Sequence, residues 1–330
     1  MIRPLLAALG AVLALAAAAR AEVNEIRVGK QFGFPYFQLI VMQDKALIEK
    51  HAKAAGLGEV KVEWVTMGGP AALNDGIISG AIDFASVGLP NLVTMWSKTR
   101  GNVDVRGISG NNLMPLLLVT RNPRVKTLGD YGPESRIALP SVKVSAQAIL
   151  LGMAAAKEFG DANYTKLDAL TVSMAHPDAF AALMSGQIDS HYSSTPFQDK
   201  ELETPGIHLV VSSFDTMGGP HSVGALVMQA KFHDGNPKMV AAIRAAYDEA
   251  TDWIKKNNRD AAQSYIRVTK EKTSPDELVA MMQKPEIEFT AVPMGVQRFA
   301  TFMQRIGLIK TGPESWKDLF FAEAHGMPGN

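Results

Sequence analysis

The chain has 330 residues, no cysteine, and 33 basic against 33 acidic side chains, for a formal net charge of zero. Zero cysteine excludes a thiol nucleophile, thiolate metal sites, disulfides and a lipid-anchored N-terminal cysteine. Balanced charge leaves no electrostatic footprint for nucleic acid or an anionic membrane, and the length suits about two domains.

The first residues read MIRPLLAALGAVLALAAAARA. An early Arg3, an apolar run over Leu5 to Ala19 and the small-residue pattern Ala19-Arg20-Ala21 predict a secretory signal peptide over residues 1–21. No other apolar stretch approaches the roughly 20 residues that span a bilayer, so the expected product is soluble and exported.

From Glu25 onward strands and helices alternate. EIRVG (25–29) predicts a short strand, and 37–55 a helix. Val60, Val62 and Trp64 alternate with Lys61 and Glu63, which predicts a strand with one polar face. A helix over 71–79, a strand over 82–87, a helix over 92–99 and strands over 103–108 and 116–120 follow. A second unit starts near Thr127, with strands over 136–139, 170–173, 188–192 and 207–212 and helices over 144–159 and 179–184. A strand over 222–228 comes next. Val240, Ile243, Tyr247, Ala250 and Ile254 then mark one face of an amphipathic helix. Ser274-Pro275-Asp276-Glu277 opens a further helix with a cap and Pro in its first turn. The alternation predicts α/β architecture with mostly parallel sheets.

Two repeats punctuate this pattern. TMGGP occurs at 66–70 and at 216–220, with unrelated flanks. Ser79-Gly80-Ala81-Ile82-Asp83 lines up with Ser185-Gly186-Gln187-Ile188-Asp189, each after an Ala-rich helix and before a strand. SGxID reads as a helix stop at Gly followed by a buried strand. The repeats fit two lobes of like architecture: 22–110 with 217–330, and 111–216. The chain crosses between them near Ser109-Gly110-Asn111 and near the second TMGGP, where Gly on both crossings suits a hinge.

In open parallel sheets, ligands bind beyond the carboxyl ends of the strands. Six loops mark those ends: 33–36, 68–71, 88–91, 140–145, 175–178 and 192–196. Most combine small residues with Pro and lead into a helix. Gly lets a ligand approach the backbone, and first-turn N–H groups attract anions. Plainer readings exist for each: a tight turn at Gly68-Gly69-Pro70, caps at Ser141 and Ser145, a solvated Lys143. His176, His191 and His221 show no HxH or HxxxH spacing, so no metal site is expected. No GxSxG, HExxH, SxxK, P-loop or GxGxxG after a strand is present. Neither an enzyme nor a cofactor is expected.

Four segments carry a resemblance to a known family: GFPYFQ, GGPAALNDGIISGAIDFASVGLPN, RIALPSVKVSAQAILLGMAAAKEFG and DAFAALMSGQIDSHYSSTPF. They resemble the periplasmic substrate-binding proteins of ABC importers, in the branch of nitrate, taurine, aliphatic-sulfonate and thiamine-precursor binders. The resemblance implies a two-lobe Venus-flytrap fold with two crossover hinge strands. It implies a monomeric receptor that closes over a small molecule and docks on an ABC permease driven by its ATPase. By the same resemblance the pocket is lined by Phe34, Pro35, Tyr36, Gly69, Pro70, Leu89, Asn91, Ser141, Lys143, Ser145, His176 and Tyr192. Ser141, Ser145, Lys143 and helix N–H groups are expected to hold an anionic group, with Phe34, Tyr36 and Tyr192 against the organic part. No Arg stands at the marked strand ends, which argues against nitrate or a strongly held sulfonate. The alternative ligand is a neutral or cationic pyrimidine or amine, held by Asp178 or Asp215 and aromatics. A related fungal pyrimidine synthase needs a cysteine-rich motif that this chain lacks. A partner sensor kinase in place of the permease is the other alternative.

Overall fold

The computed structural model describes residues 22–330; the expected signal peptide lies outside them. Two five-stranded sheets organise the chain. The first contains β1 (Glu25–Lys30), β2 (Lys61–Thr66), β3 (Phe84–Gly88), β4 (Val105–Gly110) and β10 (Gly224–Gln229), in the order β2-β1-β3-β10-β4. The second contains β5 (Leu117–Thr120), β6 (Ile137–Leu139), β7 (Thr171–Ser173), β8 (Ser190–Tyr192) and β9 (His208–Ser212), in the order β7-β6-β8-β5-β9. Helices flank both sheets, which gives the expected two-lobe α/β fold.

The sheets are mixed. β1 runs parallel to β2 and β3, and β6 parallel to β7 and β8. The antiparallel pairings come from strands next to the crossovers. β10 returns from the second sheet to lie antiparallel between β3 and β4, and β5 enters the second sheet antiparallel to β8 and β9.

The two sheets share one local device. The helix α3 (Pro70–Ser79) stops at Gly80 (φ 76°, ψ 15°), and α6 (His176–Ser185) stops at Gly186 (φ 80°, ψ 15°). Left-handed φ at a helix C-cap favours Gly because it carries no Cβ. Each stop leads into the equivalent strand, β3 or β8. The SGxID repeat is therefore the same turn at the same place in both lobes.

The remaining helices are α1 (Phe37–Asp44), α2 (Leu47–Ala54), α4 (Leu89–Thr99), α5 (Ala146–Phe159), α7 (Phe197–Glu203), α8 (Ser213–Met217), α9 (Ala230–Gly235), α10 (Pro237–Lys256), α11 (Asn258–Thr269), α12 (Pro275–Met282) and α13 (Val296–Arg305). The helix expected over 37–55 is two helices. Ala46 takes a left-handed φ of 49° and breaks it, while Asp44 is held from outside by Ser264 and Arg267. α1 then packs on α10 and α11, and α2 on α10. The two TMGGP copies differ, as their flanks imply. The first ends β2 and starts α3 at Gly69-Pro70; the second ends α8 at Gly218 and leads toward β10.

Two segments, 111–116 and 213–223, connect the sheets. They run side by side: Asn111 N–H donates to Gly224 O (3.0 Å) and Val223 N–H to Asn112 O (3.0 Å). A third segment, unanticipated from sequence, joins them. Leu113 and Glu288 exchange backbone hydrogen bonds of 2.9 and 2.8 Å, and Ser222 Oγ donates to Val292 O (2.7 Å).

Candidate functional site

The carboxyl ends of β1, β2 and β3 face those of β6 and β7 across a cavity of about 40 Å³. Five of the six marked loops reach it: Pro35 and Tyr36, Pro70, Gly88 and Asn91, Pro140 and Ser145, and His176. Such a volume holds little more than a water or two, far below the roughly 300 Å³ of an organic-ligand site. The lobes are closed on one another. Asn91 Nδ2 donates to Val144 O across the cleft (3.1 Å), and Phe34 N–H donates to Thr195 O (2.8 Å).

Of the twelve nominated residues, Pro35, Tyr36, Pro70, Asn91, Ser145 and His176 line the cavity. Gly69 and Ser141 are not lining residues but pack against each other, next in sequence to the lining residues Pro70 and Pro140. Four stand elsewhere. Phe34 follows Gly33, whose φ of 96° turns the chain so that the ring enters the core, 5.0 Å from Phe37 and 5.4 Å from Tyr265. Leu89 and Tyr192 are wholly buried. Lys143 has a left-handed φ of 61°, and its side chain lines a separate cavity of about 130 Å³ with Tyr164, Asp168 and Phe302. Lys143 is therefore not among the residues that line the cavity with Ser145. Asp178 and Asp215, named for a cationic ligand, are not among the lining residues either.

Residues missed from sequence complete the lining, notably Gln31, Phe32, Asn111 and Gln147. Asn111 belongs to a crossover already marked by its Gly neighbour, and Gln147 is the second residue of a helix whose cap was nominated. Both signals were in reach.

The lining contains no Lys, Arg, Asp or Glu. Its electrostatics come from helix ends and amides. The N-termini of α3, α4, α5 and α6 converge on it, at Gly69-Pro70, Gly88-Leu89, Ser145-Ala146 and Ala175-His176. Each carries partial positive charge. Pro in the first turn of α3, α4 and α6 removes one donor from each. α5 keeps its first-turn N–H groups of Ala146 and Gln147, while Ser145 Oγ accepts the N–H of Ala148 (3.2 Å) as its cap.

Two buried amides oppose these donors. Asn91 spends its N–H on Val144 O, and Asn111 spends its own on Pro35 O (3.2 Å) and Ser86 Oγ (2.9 Å). Backbone carbonyls only accept, so both orientations are fixed. Asn91 Oδ1 and Asn111 Oδ1 are left buried without a partner. A buried acceptor without a donor is costly.

Behind the cavity a buried chain runs away from it. Gln147 Nε2 lies 3.2 Å from His176 Nε2, His176 Nδ1 lies 2.9 Å from His191 Nε2, and His191 Nδ1 lies 2.6 Å from Glu201 Oε1. His176 stacks on Phe197 at 5.7 Å. Burial, and next the neighbouring His191, push the His176 pKa well below the ordinary imidazole value. Among the described residues no group of three or more His, Asp or Glu is arranged for a metal.

The sequence profile of the NMT1-like family matches residues 19–268. The chain belongs to the NMT1-like family. No curated protein matches it. Among solved structures it is similar to the alkanesulfonate-binding protein SsuA of Xanthomonas axonopodis pv. citri bound to MOPS, at 17% identity and TM-score 0.69, over 92% of this chain and 98% of that one. It is similar to the periplasmic aliphatic sulphonate binding protein SsuA of Escherichia coli, at 17% identity and TM-score 0.63, over 90% and 92%. It is also similar to the periplasmic nitrate-binding protein NrtA of Synechocystis PCC 6803, at 17% identity and TM-score 0.67, over 90% and 84%. This NMT1-like protein thus has the fold of periplasmic solute-binding proteins, as the sequence resemblance implies. Among the described residues no helix is long and apolar enough to cross a membrane.

Proposed function

We propose that this NMT1-like protein is the periplasmic receptor of an ABC importer. Residues 1–21 direct its export. Residues 22–110 with 217–330 form one lobe and 111–216 the other, hinged at the crossovers. A small organic anion, a sulfonate or carboxylate, enters the open cleft. The closed monomer delivers it to a membrane permease driven by an ATPase. The observation that carries this reading is the closed cavity between the two sheets, walled by strand-end loops of both lobes. It is too small for an organic ligand unless the lobes separate, so closure driven by contacts to both lobes is the natural cycle. The convergent helix ends, with the free first turn of α5, support an anionic group.

A second reading has its own observation. The unpaired Oδ1 atoms of Asn91 and Asn111 call for hydrogen-bond donors, which a neutral or cationic amine or pyrimidine supplies. A thermal-shift screen of the purified exported protein separates the two. Alkyl and aryl sulfonates, taurine, carboxylates and nitrate form one panel, and pyrimidines and amines the other. Native-state binding raises the melting temperature by mass action. A shift confined to the second panel replaces the anion reading; no shift in either counts against the receptor role.

A further inference from the structure

We propose that an anion captured in the cavity is bound together with one proton, taken up by the chain Gln147–His176–His191–Glu201. The proposal rests on the anion reading above and supplies what that site lacks. No cationic side chain lines the cavity, and each helix end offers only about half a charge. The carbonyl oxygens of two lining residues, Asn91 and Asn111, are themselves buried without a donor.

The hydrogen-bond geometry allows two arrangements, which differ by one proton. In the neutral one, His191 Nδ1–H donates to Glu201 Oε1 (2.6 Å). His191 Nε2 is then bare and accepts from His176 Nδ1–H (2.9 Å). His176 Nε2 is bare in turn and accepts from the Gln147 amide N–H (3.2 Å). Gln147, which lines the cavity, therefore turns its carbonyl oxygen away from His176.

Adding a proton reverses the chain. His191 now carries hydrogen on both nitrogens, donating Nδ1–H to Glu201 and Nε2–H to His176 Nδ1. The hydrogen of His176 moves to Nε2 and donates to Gln147 Oε1 once that amide turns over. Gln147 then offers N–H to the cavity. One proton from solvent brings one positive charge, paired with Glu201, and converts an acceptor into a donor where an anion needs it. His191 and Glu201 side chains are 0% exposed, so the charge acts through a desolvated path. In this structure Gln147 presents its Nε2 to His176 Nε2, which is the neutral arrangement, so the added proton arrives with the ligand; His176 itself stays neutral in both.

Other titratable groups around the chain leave this role to it. Tyr36 across the cavity and Tyr192 beside His191 have phenol pKa values pushed up by burial. On α7, Asp199 is paired with Lys284 and Lys200 with Glu271. On α6, Asp178 is exposed.

The test is isothermal titration calorimetry of the intact exported protein with ethanesulfonate and with benzoate. Both stay charged from about pH 5.5 to 8.5. Titrations run in two buffers of different ionisation enthalpy across that range. The expected result is uptake of close to one proton per ligand, with affinity falling up to ~10-fold per pH unit at the alkaline end. E201Q removes the paired negative charge and is expected to lose the uptake and flatten the pH profile. Wild-type calorimetry decides the matter even if that buried variant fails to fold. Binding with no proton uptake and a flat profile overturns the coupling and leaves the anion reading standing. Binding of neither anion at any pH overturns both.

Discussion

Gly69 of the first lobe lies against the Pro140 carbonyl of the second with no room for a side chain: a Cβ at position 69 would stand 2.6 Å from Pro140 O and 2.8 Å from Ser141 Oγ. Its φ of −158° is ordinary extended backbone, so the requirement for glycine is steric. It also exists only while the lobes are together. Gly69→Val is expected to fold normally, hold the cleft partly open and weaken ligand binding by about tenfold or more, since a clash with backbone costs at least ~1.4 kcal/mol. Small-angle scattering with saturating ligand is expected to give a larger radius of gyration than wild type. Wild-type affinity and closure in Gly69→Val would show that these loops do not meet in the bound state.

Asp83 and Asp189 perform one task in the two lobes. Asp83 Oδ2 accepts the backbone N–H of Arg27 on β1 (2.7 Å), and Asp189 Oδ1 accepts that of Arg136 at the entry to β6 (2.6 Å). Each carboxylate ties the start of its own strand to the neighbouring parallel strand. Asp83 also takes the Arg27 guanidinium (3.0 Å). Asp83→Ala and Asp189→Ala are each expected to lower stability by ~1–3 kcal/mol, the range for a charge-assisted bond and an abandoned donor. Neither aspartate lines the cavity, so affinity of the folded variants is expected to stay within about twofold of wild type. Denaturant melts and a ligand titration check both parts. A large affinity loss with unchanged stability would contradict this structural role.

That aspartate pair also shows how the fold was legible. SGxID carries its own turn chemistry in contiguous residues, so its position, its glycine and the strand after it could be read directly. The strand-end loops were legible for the same reason, because Gly and Pro write backbone geometry locally. What failed was side-chain direction. Phe34 and Lys143 each follow or occupy a left-handed position, and one such φ redirects a side chain from cleft to core or to another surface. Spacing carries no trace of this. Asn111, Gln147 and the strand-like segment at Glu288 became visible only once distant parts of the chain had met.

Asn91 bridges the lobes through a single hydrogen bond, Nδ2 to Val144 O at 3.1 Å, and its Oδ1 is buried without a partner. Asn91→Ala removes both. Losing the bridge is expected to favour the open form by ~0.5–1.5 kcal/mol, about two- to tenfold in the closure equilibrium. Asn91→Asp keeps an acceptor, loses the donor to Val144 O and adds negative charge. For an anionic ligand it is expected to bind more weakly than Asn91→Ala. For an amine the order reverses. Dissociation constants of the two variants for one ligand of each class give the comparison, and equal affinities would remove Asn91 from the ligand's surroundings.

His221, in the second crossover, is neutral because of where it is packed. Its Nδ1–H donates to Ser222 O (2.9 Å), and its Nε2 accepts from Ser213 Oγ (2.8 Å). Phe214 and Phe299 meet its ring edge to face. Burial, opposed by the Ser222 bond and assisted by Arg298, brings its pKa down to about 4. An unfolded histidine titrates near ~6.5. Between those values the unfolded chain binds the proton and the folded one does not. The stabilisation from this group is therefore complete above about pH 6.5 and is lost as the pH falls toward about 4, amounting to ~3 kcal/mol over the window. His176 and the carboxylates add their own pH dependence, so the informative quantity is a difference. The pH profile of unfolding free energy for wild type minus His221→Gln is expected to decline from pH 7 to pH 4 with a slope approaching ~1.4 kcal/mol per unit. A difference independent of pH would mean that His221 is protonated in the folded crossover, with Ser213 Oγ accepting its second N–H beside the Leu116 N–H it already accepts (2.9 Å) and its own hydroxyl hydrogen turned elsewhere.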